Sequence, residues 1–227
     1  MKGSFLSYEY IVEELGSGAR SKTSTGRMII AHLGHGSSMA AVRNGQGMDT
    51  TMGFTPAGGL VISTRSGDLD PGVILYLLEE KGMTPAQVSE IVNRKAGLVG
   101  VSATSSDMKD LLEREKEDSH AAMAIELFCY QAKKFLGALV AILGGLDTLV
   151  FTGGIGENAP AVRWRICEGL ECMGIDLDPR HNEINAPVIS SNGTPVTVLV
   201  IKTDEELVIA RYTHNLLRRK AKEEGKQ

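Results

Sequence analysis

The sequence predicts an α/β layer sandwich on a mixed sheet, and three observations carry that reading. Three strand-like runs come early, at 27–34, 37–43 and 46–51. They are joined by a glycine-rich turn and by Asn44-Gly45, a strong hairpin signal. Two later apolar runs, DTLVFTGG (147–154) and PVTVLVI (195–201), alternate with helical patterns, as parallel strands with crossover connections require. Glycine clusters fall at the strand ends, where open α/β sheets bind ligands.

Each element has a local reason. Ser7–Leu15 reads as a helix, with Ile11 and Leu15 on one face and Glu13 and Glu14 on the other. The polar stretch 16–26 is a turn cluster. RMIIAHLG (27–34) is apolar enough for a buried strand, and SSMAAVR and Gln46–Thr51 complete a meander. Gly53–Pro71 is a loop long for a connection without structure of its own, and such loops are disproportionately functional. Helical patterns cover Gly72–Lys81, Thr84–Arg94, Ser106–Glu117 and His120 to about Leu143. Thr84-Pro85 pairs an N-cap with a proline at the first helical position, and Ser105 or Ser106 caps the next helix. Helices over Ala159–Met173 and Asp204–Lys220 flank the last strand. The charged tail RRKAKEEGKQ reads as a solvated helix end.

Composition excludes several classes. Lys+Arg 24 against Asp+Glu 28 leaves a net charge of -4, which argues against a surface that wraps nucleic acid. Cys129, Cys167 and Cys172 are too few for a disulfide framework and read as buried, reduced thiols. The absence of a CxxC pair argues against structural zinc. The N-terminal run has no long apolar core, and Phe135–Leu146 is too short to span a bilayer. The expectation is a cytoplasmic protein without a membrane partner. Gly 26 stands well above a usual share of ~7%, which points to tight turns and backbone near a ligand.

Four constellations could carry chemistry. HLGHG (32–36) lets backbone N–H groups approach an anion, or is a plain hairpin turn. In TRSGDLDPG (64–72), Arg65 clamps carboxylate or phosphate oxygens, or merely pairs with Asp68 and Asp70. TGGIGEN (152–158) is a strand running into glycines and then a helix, a device for phosphates that lacks the Gly-Lys-[Ser/Thr] of a P-loop. In KTDEELVIAR (202–211), Asp204, Glu205 and Glu206 complement a helix dipole, or hold Mg2+ beside a phosphate site.

In this order the four motifs, with DTTMGFTPAGGLVISTRSGDLDPG, SSDMKDL and FTGGIGENAP, resemble the C-terminal half of the acetate kinase (acetokinase) family. The likeness runs from about Leu6 onward. It implies a ribonuclease H-like mixed sheet flanked by helices, one lobe of the actin-like ATPase fold. It also implies an N-terminal helix and linker over 1–26, a nucleotide-binding domain over 27–220 and a frayed tail over 221–227. By resemblance, Arg65 stabilises the transferring phosphoryl group and Pro56 lines the pocket for the acetate methyl. His32, Leu33, Gly34, His35 and Gly36 border the phosphates. Asp107, Met108 and Lys109, with Gly153, Gly154, Ile155, Gly156 and Glu157, hold the adenosine end of ATP or ADP. Glu205 positions Mg2+.

Three positions depart from the family pattern: His35 and Asp204 each replace an Asn, and Lys109 replaces an Arg. Sequence equivalent to the family's first half is not recognisable. GSFLSYEY stands where FHG-x-S-x-x-Y is expected, so the chain is read as one of two lobes, incomplete for catalysis alone. The implied reaction is ATP + acetate to ADP + acetyl phosphate, with a homodimer formed through this half and a separate N-terminal lobe as partners. The alternatives are a non-catalytic nucleotide-binding and dimerisation module, or a lobe of a propionate or butyrate kinase.

Overall fold

The computed structural model describes residues 3–16, 26–203, 210 and 213. Its centre is β1 (Arg27–His32), the middle strand of a five-stranded sheet of order β3-β2-β1-β4-β5. The meander β1, β2 (Ser38–Arg43) and β3 (Gln46–Thr50) is antiparallel, whereas β4 (Thr148–Thr152) and β5 (Thr197–Val200) run parallel to β1. The expected mixed sheet is therefore present.

Successive strand side chains point to opposite faces, and two cores result. Ile29, Ala31, Met39, Ala41, Leu149, Phe151 and Val198 enter a large core on one face. Their chain neighbours Met28, Ile30, Ala40, Val42, Val150 and Leu199 form a smaller core with Tyr8, Ile11 and Leu15 of α1 (Gly3–Gly16). The Tyr8 hydroxyl lies 2.6 Å from Ser38 Oγ, and burial pushes it up to about 12.

The large face is covered mainly by a 25-residue helix, Ser119–Leu143, the sixth in chain order. Before it come α2 (Pro71–Glu79), α3 (Pro85–Glu90), α4 (Gly97–Ser102) and α5 (Met108–Arg114). This α6 buries Ala121, Ala124, Ile125, Phe128, Ala132, Leu136, Leu139 and Leu143, a stripe at helical spacing. Asp118 caps its start and Gly144, at φ 70, ends it. Two guanidiniums serve its carbonyl end, Arg43 on Leu143 O and Arg27 Nη1 on Gly144 O at 2.6 Å, where the helix dipole favours cations. Arg27 also pairs with Asp147 at 2.6 Å, and holds that carboxyl below the usual range.

Several elements differ from expectation, each for a local reason. Thr84 caps the helix ahead of Pro85 as read, and Gln87 completes a capping box with it, but the helix widens into a π-helical turn over Ile91–Lys95. A further helix, α4, then starts at Gly97 (φ 63). The cap of α5 is Asp107, which accepts from Lys109 N and Asp110 N, rather than Ser105 or Ser106. The glycine run coils into one helical turn, α7 (Gly153–Asn158), before α8 (Pro160–Cys167). The expected helix over Ala159–Met173 stops at Cys167 because Gly169 turns left-handed at φ 77. An unexpected α9 (Pro179–Glu183) is capped by Asp178, the same cap-proline signal as Thr84-Pro85.

Cys129 and Cys167 are buried, each thiol pushed up to about 12 by burial, but Cys172 is exposed. The helix expected from Asp204 and the charged tail lie outside the described residues, apart from Ala210 and Thr213. Among the described residues, no helix is long and apolar enough to cross a membrane.

Candidate functional site

Because β1, β4 and β5 are parallel and β3 is antiparallel to β2, four strand ends and their loops open on one side of the sheet. The first and third glycine motifs leave β1 and β4 there, side by side, at the paired residues His32 and Thr152.

Backbone geometry locks these two motifs together. Leu33 N donates to Thr152 O at 2.8 Å, and Leu33 O accepts from Ile155 N at 2.9 Å and Gly156 N at 3.1 Å. The approach leaves no room for a side chain at Gly153. Its φ is 77, and a Cβ there would sit 2.7 Å from Leu33 O. Gly153 N donates to Glu157 Oε1 at 3.0 Å, and the same oxygen accepts from Thr203 N at 3.2 Å. Glu157 thus ties the glycine turn to the exit of β5. In the first motif, Gly34 N donates to Ser37 Oγ at 3.1 Å. Three donors of the helix start are therefore engaged internally. Among the described residues, the Gly154 N–H has no partner, and a Cβ on Gly154 would meet nothing within 4 Å.

These loops and the start of α5 enclose a cavity of about 370 Å³, within the usual range for small-molecule sites. Gly34 and His35 come from the first motif, Ser106 to Lys109 from the α5 start, and Gly154 and Ile155 from the third. Ser63, Leu112, Asn158 and Ala159 complete the wall. Of the residues singled out in the sequence, Gly34, His35, Asp107, Met108, Lys109, Gly154 and Ile155 meet here. His32, Leu33, Gly36, Gly153, Gly156 and Glu157 do not line the cavity; Leu33, Gly153 and Gly156 are buried behind its wall. Lys109 is exposed, its ammonium 3.9 Å from Glu113.

Arg65 and Pro56 form a second cluster. Arg65 Nη1 donates to Pro56 O at 3.4 Å. The carboxylates that could have neutralised Arg65 serve backbone donors instead: Asp68 accepts from Gly59 N and Asp70 from Gly72 N, both at 2.7 Å. Among the described residues, Arg65 has no acidic partner. A strap positions it. Leu98 N donates to Ile62 O, Val99 N to Ser63 O, Ala96 N to Thr64 O and Ser66 N to Val92 O. Gly97 allows this, because a Cβ there would lie 2.7 Å from Arg65 O. Ser63 lines the cavity and Arg65 follows two residues later, so one strap serves both clusters.

The sequence reading did not name five wall residues as part of the site. Ser106 precedes Asp107, Asn158 and Ala159 continue the glycine run, and Leu112 lies one helical turn after Met108, so adjacency and helical spacing could have found these four; Ser63 carries no such mark. It also missed Arg163, a fully buried guanidinium that donates to Gly156 O and Glu157 O, and whose pKa burial pushes down to about 10. Among the described residues, no group of three or more His, Cys, Asp or Glu could hold a metal ion. Glu205 and Asp204 lie outside them. The described residues thus supply no metal cage.

The comparisons bear on this geometry. A protein-family model described as the Acetokinase family matches residues 3–211. The chain belongs to the acetokinase family. Acetate kinase of Rhodopseudomonas palustris strain TIE-1 is 48% identical over 213 residues, covering 93% of this chain and 53% of that protein. The crystal structure of Porphyromonas gingivalis acetate kinase matches with a TM-score of 0.86 at 41% identity, covering 93% of this chain and 54% of that one. A propionate kinase from Francisella tularensis matches with a TM-score of 0.84 at 36% identity, covering 90% and 53%. The chain spans about half the length of the curated relatives it matches. These likenesses give this acetokinase-family chain the mixed-sheet fold expected from its motifs.

Proposed function

We propose that this chain supplies the nucleotide-binding half of an acetate kinase-type phosphotransferase, converting ATP and acetate to ADP and acetyl phosphate by direct transfer. The observation that carries the reading is the meeting of Gly34-His35, Asp107–Lys109 and Gly154-Ile155 around one cavity, with Arg65 on the adjoining strap. In this reading Asp107, Met108 and Lys109, with Gly153, Gly154, Ile155, Gly156 and Glu157, hold the adenosine end, while the 32–36 turn faces the phosphates. Glu157 acts by holding the turn. Arg65, whose guanidinium donates among the described residues to the neutral Pro56 carbonyl, keeps donors for the equatorial oxygens of the transferring group, where positive charge stabilises the transition state. Pro56 beside it lines the carboxylate's pocket. Mg2+ enters with the nucleotide, and Glu205 is its proposed protein contact. A second lobe supplies the remaining groups, and the site is cytoplasmic.

Calorimetry tests the core of this. Mg-ADP is expected to bind the 227-residue chain, and Gly154→Val is expected to abolish binding without unfolding it, because the new side chain points into open space. No binding at millimolar nucleotide rejects the reading.

A second reading, a nucleotide-binding and dimerisation module without chemistry, is favoured by α2. That helix is strongly apolar yet buries none of its residues, and exposes Val73, Leu75 and Tyr76. A second copy of the chain is its proposed cover. A hydroxamate assay with ATP, Mg2+ and acetate separates the two readings once the chain is joined to a first half from a relative. Propionate and butyrate in the same assay decide acyl length.

A further inference from the structure

Arg163 is the one fully buried charged side chain among the described residues. A guanidinium carries five N–H donors, and all are filled. Nε donates to Asn182 Oδ1 at 2.8 Å. Nη1 donates to Gly156 O at 2.8 Å and Glu157 O at 3.1 Å. Nη2 donates to Asn182 O at 2.7 Å and Asn185 Oδ1 at 2.6 Å. No acceptor is a carboxylate. Glu183 acts on it only through space, and removing the guanidinium would leave five acceptors without their donor. A hydrogen-bonded ion pair therefore does not explain an arginine here.

Its partners do. Two acceptors are the closing carbonyls of α7, the helical turn that places Gly154 and Ile155 in the cavity wall. The other three belong to α9 and to Asn185, held left-handed at φ 52. Asn182 is itself fixed, its Nδ2 donating to Pro160 O at 3.0 Å. The planar fork spans both elements at once, which an ammonium cannot do.

We propose that Arg163 is a positioning residue for the nucleotide loop, bracing α7 against α9 so that Gly154 stays at the cavity wall. The inference rests on the nucleotide reading above and is tested so that the two can fail separately. Amide exchange at Ile155 and Gly156, measured without nucleotide, is expected to speed about tenfold or more in Arg163→Met, with amides of β1 unchanged. Unchanged exchange at those two amides overturns the brace whether or not nucleotide binds. With Mg-ADP as probe, Arg163→Met and Arg163→Lys are each expected to weaken binding about tenfold at an unaltered circular dichroism spectrum. A folded Arg163→Met that binds as the parent does overturns the proposal. Should both Arg163 variants fail to fold, Asn185→Gly decides. Glycine accepts the left-handed backbone and deletes one acceptor only, so faster exchange at Gly156 supports the brace and an unchanged rate overturns it.

Discussion

At the scale of single residues, the neighbouring glycines 153 and 154 have opposite reasons to be glycine. Gly153 is needed by the fold, with its positive φ and the Leu33 carbonyl 2.7 Å from where a Cβ would be. Gly154 is not, since nothing lies within 4 Å of its missing Cβ. The two substitutions should therefore separate. Gly153→Ala is expected to lose about 2 kcal/mol or more in urea unfolding, whereas Gly154→Val keeps the parent midpoint and loses only nucleotide. Equal midpoints for Gly153→Ala and the parent would contradict the tight Leu33 contact. Acidic residues show a similar division of labour. Asp68 and Asp70 look, in sequence, like partners for Arg65, yet each accepts a backbone N–H and leaves the arginine its charge.

At the scale of elements, the join between α6 and β4 is held by Arg27 and Asp147. The carboxyl of Asp147 titrates below its ordinary value of 3.8, chiefly because the Arg27 guanidinium hydrogen-bonds it. A carboxyl whose folded pKa is depressed stabilises the fold fully above its unfolded value. That stabilisation is lost as pH falls through the folded value. Thermal melts at pH 7 and pH 3 should therefore show the parent losing more stability on acidification than Asp147→Asn; equal losses would rule out a contribution from the pair. The pair is partly exposed, so the difference will be small.

Most elements were legible in the sequence because their signals are local. Strands β1, β2, β4 and β5 show as apolar runs, the polar β3 follows from the Asn44-Gly45 turn, and α3 shows as Thr84-Pro85. Asp178-Pro179 carries the same cap signal for α9, and was readable by the same rule. The break after Lys95 was not. It depends on Gly97 meeting the backbone of Ile62 and Arg65, some thirty residues away. In the site, the glycine turns announced themselves as turns. Arg163 did not, because an arginine in a helical run looks like any solvated residue until its surroundings are known.

At the scale of the whole molecule, the loops carrying Arg65 and the cavity share one side of the sheet, while α2 leaves Val73, Leu75 and Tyr76 exposed. If α2 meets a second copy of the chain, Leu75→Asp should shift the protein from dimer to monomer in light scattering, with its circular dichroism unchanged. A parent that is monomeric at high concentration would remove α2 as a self-association surface.

The two cores are also unequal in what covers them. The large one lies beneath α6 and its neighbours, whereas among the described residues α1 alone is the helix over Met28, Ile30, Ala40, Val42, Val150 and Leu199. That helix therefore governs solubility as well as fold. A chain beginning at Gly26 would lose the cover that Tyr8, Ile11 and Leu15 give this apolar sheet face, and exposed apolar surface drives aggregation. It is expected in the pellet after ultracentrifugation, while the 227-residue chain stays in the supernatant.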